Sequence, residues 1–394
     1  MLLTAAPALT PTPDPGRIAR LEKELGRSPD NGGLMYELAV EESNVGRHAD
    51  AIRWLEKAVA LGSDFELAKE PAFKPLAKFE PYRELAHRLG LRPAIHTSAL
   101  AFRVAAADLV PEGIAAMPDG SAFFVGSLAQ KKIVSVAPDG AARDFVPSGR
   151  DGLWNVLGLK VDAKRRLLWA ASAADGREGP SAGSAGLFAF DLETGALRRK
   201  MTLDGRARRH LFNDVAIGEA GDVFVTDSEA GSVYRVPAGA GNLEEFLPAA
   251  AFLYPNGIAL APGGRTLYVA DASHGITAVD VASRRRTPLA HTRDVTLHSV
   301  DGLYADGGAL VAIQNGSGME RVVRIALDPS GKRVERMDVL ESRNPDFDIP
   351  TTGAILGRDF FYLANTQLER LGDDGRLLPG PPLKPVLVLK TALP

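Results

Sequence analysis

The chain has 394 residues, of which 45% are hydrophobic and 24% are charged. This composition is typical of a soluble globular protein with one large or two moderate domains, and it argues against disorder and against a membrane span. The formal net charge of -3 provides no basic field for nucleic acid, and the absence of cysteine excludes disulfides, thiolate metal sites and cysteine nucleophiles.

Residues 1–14 are apolar at first and then rich in proline. Ala6-Pro7-Ala8 resembles a signal-peptidase cleavage site, but the stretch has neither the basic start nor the length of a complete signal peptide. We interpret it as a signal-peptide remnant or a disordered start that ends in a linker. This favours a periplasmic or secreted protein, with the cytoplasm as the alternative.

Residues 15–92 carry apolar side chains at a spacing near 3.6, which predicts helices. The small and apolar positions of a tetratricopeptide helix pair match a set of residues in this segment, namely Leu38, Ala39, Gly46, Ala51, Leu55 and Ala58. The segment thus resembles about one such repeat, which is too little for a peptide-binding groove. We expect it to cap the next domain or to form a homodimer or other protein contact.

In residues 98–394 the apolar side chains recur at every second position, which predicts strands. One strand-turn-strand unit occurs six times in this region. Its aligned positions are 113, 158, 214, 257, 302 and 353, so the steps are 45, 56, 43, 45 and 51 residues. A step of about 40 to 50 residues is typical of a four-stranded propeller blade. The sequence therefore predicts an all-β six-bladed β-propeller preceded by a small α-helical segment. We expect a strand between residues 94 and 110 to close the ring against the sixth blade.

The residue before each aligned position begins the innermost strand of its blade, and a closed ring points these six starts at one mouth of the channel. They are Glu112, Leu157, Asn213, Asn256, Asp301 and Thr352. Two carboxylates and two amide carbonyls on one axis would be poorly solvated without a cation. Because all four possible ligands are oxygen atoms, the sequence favours a site for one divalent cation. Ca²⁺ fits such ligands best, and Mg²⁺, Mn²⁺ and Zn²⁺ are the alternatives. In a simpler interpretation, each Asn or Asp caps the turn before its strand.

Four short motifs carry a family resemblance: Pro111-Glu112-Gly113, Phe212-Asn213-Asp214, Pro255-Asn256-Gly257 and Val300-Asp301-Gly302. They resemble, in the same order, the metal-ligand motifs of the senescence marker protein/gluconolactonase (regucalcin-like) family of six-bladed propellers. The resemblance spans roughly residues 109–371. It implies a divalent-metal-dependent hydrolase of lactones or related esters, in which the cation polarises the carbonyl and activates water. Glu112, Asn213, Asn256 and Asp301 would be ligands, and Asp301 would also be the base.

Two positions depart from the family pattern. Leu211 stands where the sugar-lactone enzymes keep an arginine, which weakens the case for a hydroxylated sugar lactone. Leu157 stands where paraoxonase-like enzymes place a catalytic histidine, so that dyad is not expected.

Residues that flank the six strand starts are candidates for substrate contact. They are His210, His298, Trp154, Asn155 and Tyr254. The alternative for the two histidines is an ordinary surface loop position. Three more polar residues end second strands, namely Asp227, Asp271 and Asn315, and the two aspartates are typical of turn closure.

Two other functions stay open at this point. The propeller could be a non-catalytic, metal-stabilised platform for a ligand or a protein. It could also be a strictosidine-synthase-like lyase with Glu112 as acid and base. The lyase is the weaker alternative because such propellers do not need the four proposed metal ligands.

Overall fold

The computed structural model describes residues 15–174, 181–272, 274–316, 318–372 and 374–394. This part of the chain contains four α-helices followed by 25 β-strands in six sheets. It confirms the prediction of an all-β six-bladed propeller preceded by helices. Residues 1–14 lie outside the described residues, so the signal-peptide remnant or disordered start stays a prediction.

The helical segment contains α1 Pro15–Arg27, α2 Gly32–Asn44, α3 His48–Ala60 and α4 Glu80–Gly90, with 3₁₀ turns at Leu67–Lys69 and Pro71–Lys78. Asn31 caps α2 by accepting the Leu34 N–H at 3.0 Å. Ala39, Ala51 and Ala58 are fully buried, which lets α2 and α3 approach closely. None of the described helices has the length and apolar character of a membrane span. The likeness to a tetratricopeptide repeat and a dimer contact through these helices stay predictions.

Two strands precede the first blade, β1 Ile95–His96 and β2 Ala99–Val104. Blade 1 contains β3 Pro111–Ala116, β4 Phe123–Ser127, β5 Lys132–Val136 and β6 Ala142–Val146. Blade 2 contains β7 Asn155–Asp162, β8 Leu167–Ala173, β9 Ala185–Asp191 and β10 Leu197–Leu203. Blade 3 contains β11 Phe212–Ile217, β12 Val223–Asp227, β13 Ser232–Val236 and β14 Glu244–Leu247.

Blade 4 contains β15 Pro255–Leu260, β16 Thr266–Asp271, β17 Gly275–Asp280 and β18 Arg286–Pro288. Blade 5 contains β19 Val300–Asp306, β20 Ala309–Gln314, β21 Arg321–Leu327 and β22 Val334–Ser342, and β1 adds a fifth strand beside β22. Blade 6 contains β23 Gly353–Leu356, β24 Asp359–Leu363 and β25 Val386–Ala392. Its outermost strand is β2, which pairs antiparallel with β25 and closes the ring as the sequence predicts.

The propeller core lies between neighbouring blades. Six apolar clusters fill the six spaces between adjacent sheets, from blades 1 and 2 round to blades 6 and 1. Because both faces of each sheet are buried, the second strands are continuously apolar: β4 and β12 are buried at every residue. The innermost strands contact one another in turn around the channel.

The helical segment packs against the end of the propeller where the inner strands begin. Val300 pairs with Gln314, so the residues after β20 lie beside the start of β19. The Glu66 N–H donates to the carbonyl oxygen of Gly318 at 2.8 Å, and Met319 is part of the segment's apolar core. The segment therefore covers part of the mouth at which the six strand starts meet.

Ring closure by β2 makes a stability prediction. Phe102 is 5% exposed and its ring centroid lies 4.8 Å from that of Phe123 in blade 1, whereas Leu100 on the same strand is 42% exposed. We expect Phe102→Ala to lower the free energy of unfolding by about 3 to 5 kcal/mol, because it leaves a cavity. Leu100→Ala should cost under about 1 kcal/mol. Urea unfolding measures both, and a loss under about 1 kcal/mol for Phe102→Ala would contradict closure by β2.

Candidate metal centre

A β-bulge opens each of the first five inner strands at the channel axis. Ladder pairing skips two residues in each of them: between Pro111 and Ile114, Val156 and Leu159, Phe212 and Val215, Pro255 and Ile258, and Val300 and Leu303. The first skipped residue is each time the predicted strand-start residue. A bulge bends a strand and re-aims its side chains, so it sets these residues apart from the regular ladder. We call the six residues Glu112, Leu157, Asn213, Asn256, Asp301 and Thr352 the axial ring.

Neighbouring members of the axial ring touch through their backbones. A Cβ atom on Gly113 would lie 1.9 Å from the carbonyl oxygen of Leu157, and one on Gly257 would lie 2.2 Å from that of Asp301. Only glycine fits where strands approach so closely. The Thr352 hydroxyl donates to the carbonyl oxygen of Glu112 at 2.5 Å and joins blade 6 to blade 1.

The four oxygen-bearing members of the axial ring are withdrawn from solvent. Glu112, Asn213 and Asp301 are 3%, 4% and 6% exposed, and Asn256 is half-buried. Burial and the nearby charge of Asp301 raise the pKa of the Glu112 carboxyl well above its usual range. Burial likewise raises the pKa of Asp301, although the amides of Asn315 and Asn256 oppose this by lowering it. The two carboxyls are therefore close enough to repel each other when both are ionised.

This donor set fits a divalent cation. Glu112 Oε2 and Asp301 Oδ1 are buried and accept no hydrogen bond. Asn213 Nδ2 donates to Ser228 Oγ at 3.0 Å, which leaves the amide oxygen as the atom that can face a cation. Within the described ranges no three His, Asp or Glu side chains form a metal-ligand group, so a cation here would need the asparagine amides too. Such an all-oxygen site suits Ca²⁺.

Two polar residues just after second strands support the axial ring. Asn315 Nδ2 donates to Asp301 Oδ2 at 2.5 Å, and Ser228 Oγ donates to the carbonyl oxygen of Pro255 at 2.6 Å. From the sequence, Asn315 is predicted only to end a strand, and Ser228 only to close a turn together with Asp227. Both residues directly follow the second strand of their blade. A comparison of the six repeats at that position would therefore have identified Ser228 and Asn315 as equivalent polar residues.

A half-buried lysine and a buried aspartate lie next to the axial ring, and the repeat pattern of the sequence does not single out this pair. Asp214 occupies the aligned position at which the other five blades have glycine. Its carboxylate accepts the N–H groups of Val215 at 2.8 Å and Ile258 at 3.3 Å. Burial raises the pKa of Asp214 to about 6, while the positive charge of Lys160 opposes the rise. Lys160 Nζ in turn lies 5.0 Å from the ring centroid of Tyr304.

Three of the predicted substrate contacts lie at the mouth. Burial raises the pKa of the Tyr254 hydroxyl, and the nearby charges of Glu112 and Asp301 raise it further. Asn155 is 8% exposed, and its Oδ1 is buried without a hydrogen-bond partner. Trp154 packs edge to face on Phe188, with 6.4 Å between ring centroids.

The two histidines predicted at the rim have other neighbours. His210 Nδ1 lies 2.6 Å from Asp227 Oδ2, and that aspartate also accepts the Leu211 N–H, so it closes a turn. His298 faces the helical segment, where its Nε2 accepts the Gly33 N–H at 3.0 Å. The structure thus places His210 in a buried pair within blade 3 and His298 at the contact with the helices.

An apolar cluster, which we call the mouth cluster, lies at this same end of the channel. It contains Val110, Leu128, Leu157, Ala173 and Leu368, with Ala129, Leu211, Ile349, Leu371 and Leu383 partly buried against it. Its members come from blades 1, 2, 3 and 6, whereas the six blade clusters each join two adjacent sheets. Both departures from the family pattern, Leu157 and Leu211, belong to it.

The profile of the SMP-30/gluconolactonase/LRE-like region matches residues 110–347, more than half of the chain. The chain belongs to this family. The match covers the first five blades and confirms the resemblance predicted from the four motifs. No curated protein sequence matches the chain.

Solved structures share the fold of this family member at low sequence identity. The calcium-binding protein regucalcin from Agrobacterium tumefaciens is 17% identical, with a TM-score of 0.52 over 75% of this chain and 94% of its own. The PQQ-bound aldose sugar dehydrogenase from Streptomyces coelicolor is also 17% identical, with a TM-score of 0.50 over 75% of this chain and 98% of its own. These likenesses show the propeller fold alone, and a fold does not fix an activity.

The position of His298 makes a pH prediction. Burial, with the charge of Arg321 adding to it, lowers the pKa of His298 to about 3. An unfolded histidine takes up a proton near pH 6.5, so the folded state binds fewer protons and loses stability as the pH falls from about 6.5 toward 3. We expect the urea midpoint of the wild type to fall further between pH 7 and pH 5 than that of His298→Gln.

His87 on α4 is exposed and provides the control. His87→Gln should keep the full acid sensitivity of the wild type. Equal acid sensitivity in His298→Gln and in the wild type would show that His298 is not held neutral.

Proposed function

We propose that the protein is a divalent-metal-dependent hydrolase of lactones or related carboxylic esters, and that the reaction takes place at the axial ring. The observation that carries the proposal is the pair of buried, unpartnered carboxylate oxygens, Glu112 Oε2 and Asp301 Oδ1. Membership in the SMP-30/gluconolactonase/LRE-like family supports it. The regucalcin with the same fold is named a calcium-binding protein, which favours Ca²⁺ over Mg²⁺, Mn²⁺ or Zn²⁺.

In this proposal Glu112, Asn213, Asn256 and Asp301 hold the cation. A divalent cation there supplies carbonyl polarisation and a lowered pKa of water. Asp301 is the proposed base, since Oδ1 has no partner while Asn315 fixes Oδ2 at 2.5 Å. A base must lie within hydrogen-bonding reach of the water that it deprotonates, and a carboxylate held at one oxygen keeps the other in a fixed direction.

The rim residues would orient the substrate. Asn155 Oδ1 is a buried acceptor without a partner, so it suits a water molecule at the mouth, because a lactone or ester group offers only acceptors itself. Tyr254 lies near both carboxyls and can donate its hydroxyl hydrogen, because its raised pKa keeps the phenol neutral. The mouth cluster adjoins these residues and would exclude water from the ester.

The proposal predicts the effect of removing the base. Asp301→Asn keeps the side-chain size but removes the carboxylate, so we expect kcat/KM for lactones to fall by at least about 100-fold. The control is Asp119→Asn, because Asp119 binds Ser121 in the exposed turn between β3 and β4, at the other end of blade 1. A pH-stat assay with added Ca²⁺ measures both variants, and thermal melting checks that both fold.

Chelation gives the complementary result, since excess chelator should remove the activity and added cation should restore it. A chain that binds a cation but turns over no aliphatic, aromatic or sugar lactone and no aryl ester would contradict the hydrolase. That outcome would favour the non-catalytic platform.

The mouth cluster predicts the order of substrates. We expect alkyl-substituted lactones to be better substrates than sugar lactones, with kcat/KM rising about fourfold per buried methylene, because each contributes about 0.8 kcal/mol. Leu211→Asn places a polar group in the cluster and should flatten this dependence on chain length. Leu253→Asn is the control, since Leu253 is 47% exposed and lies outside the cluster. A higher kcat/KM for a sugar lactone than for every alkyl lactone would contradict the prediction.

A further inference from the structure

The axial ring is connected to the helical segment through the residues that follow β20. Asn315 is the first of them, and its Nδ2 donates to Asp301 Oδ2 at 2.5 Å. The backbone N–H of Asn315 donates to the carbonyl oxygen of Ser299 at 3.2 Å, beside the start of β19. These two contacts place the Asn315 amide against the candidate ligand.

The helical segment binds the chain three residues further on. The Glu66 N–H donates to the carbonyl oxygen of Gly318 at 2.8 Å. The ring of Tyr36 lies so close to Gly318 that a Cβ there would be 2.7 Å from it, and the positive φ of +68° also favours glycine. Tyr36 itself is held between Phe65 and Phe73, with ring centroids 4.8 and 5.3 Å away.

Two neighbouring side chains strengthen this attachment. Met319 is 1% exposed and, although it belongs to the propeller, it is buried in the core of the helical segment. Lys69 Nζ lies 2.5 Å from Glu320 Oε2, while Glu320 Oε1 accepts the Ile349 N–H at 2.8 Å. Gly318, Met319 and Glu320 are therefore each held by the helices.

We propose that the helical segment is a part of the metal centre. By fixing Gly318, Met319 and Glu320 it holds Asn315 in place, and Asn315 directs the Asp301 carboxylate toward the cation. Asn315 is thus a positioning residue, and the segment acts through it. The inference rests on the proposed function, because it requires a cation at the axial ring.

The physical reason is that a partner hydrogen-bonded to a metal ligand fixes the ligand's orientation. Loss of such a partner commonly lowers metal affinity by about 10- to 100-fold. A surface loop without packing opens locally at little cost in free energy. Here the buried Met319 and the Glu66–Gly318 hydrogen bond oppose such opening.

The experiment measures the Kd of Ca²⁺ on the full chain by isothermal titration calorimetry. We expect Asn315→Ala to raise the Kd about tenfold or more. Met319→Ala loosens the attachment and should raise it severalfold. The double variant should bind no more weakly than Asn315→Ala alone, because both changes act on the same hydrogen bond.

Leu85→Ala is the matched control. Leu85 is 2% exposed on α4 and belongs to the same apolar core as Met319. It should lower the thermal midpoint of the protein but leave the Kd of Ca²⁺ unchanged. Lys69→Met provides a second test at the surface if Met319→Ala does not fold, since it removes the ion pair with Glu320 and should raise the Kd to a smaller extent.

Three results would each overturn the inference: an unchanged Kd in Asn315→Ala or Met319→Ala, additive effects in the double variant, or an equal change in Leu85→Ala. A wild-type chain that binds no divalent cation would overturn the proposed function and this inference together. Tight wild-type binding that none of the variants weakens would overturn the inference alone.

Discussion

The close approach of the inner strands at the channel axis is the constraint on which the site depends. Six strands meet around one channel, and glycines such as Gly113 and Gly257 allow the backbone of one blade to touch the next. The bulges are formed at the same place, between Pro111 and Ile114 in blade 1 and at the matching residues of four more blades. A single feature of the backbone therefore closes the ring and sets the position of the axial side chains.

This geometry has an electrostatic cost, because it buries carboxyl groups that water would otherwise solvate. Glu112 and Asp301 face each other's charge with one unpartnered oxygen each. Asp214 differs, since two backbone N–H groups and the charge of Lys160 compensate it. Three carboxyls are thus buried in and beside the axial ring. The charge of Asp214 is compensated, whereas Glu112 and Asp301 each keep a buried oxygen without a partner that can bind a cation.

The fold and the axial ring could be predicted from the sequence because both are repeated. Six copies at blade spacing define equivalent positions, and Glu112 or Asp301 differs visibly from Leu157 at the same position. Contacts that join unrelated parts of the chain leave no such signal. Gly33 and His298 are 265 residues apart, and their hydrogen bond depends on how the helices dock. Lys160 likewise acquires a role only because blade 2 lies beside Asp214 of blade 3.

The helical segment lies outside the family match, yet its contacts fall on residues within it, such as His298 and Met319. Both residues lie in loops, and neither belongs to an apolar cluster between two blades. Loops at the mouth can therefore accept an added element without disturbing the sheets. Because the inner strands begin at that same mouth, an element that docks there also comes within one or two contacts of the axial ring. A cap at the opposite end of the blades could stabilise the propeller, but it would have no such access to Asp301.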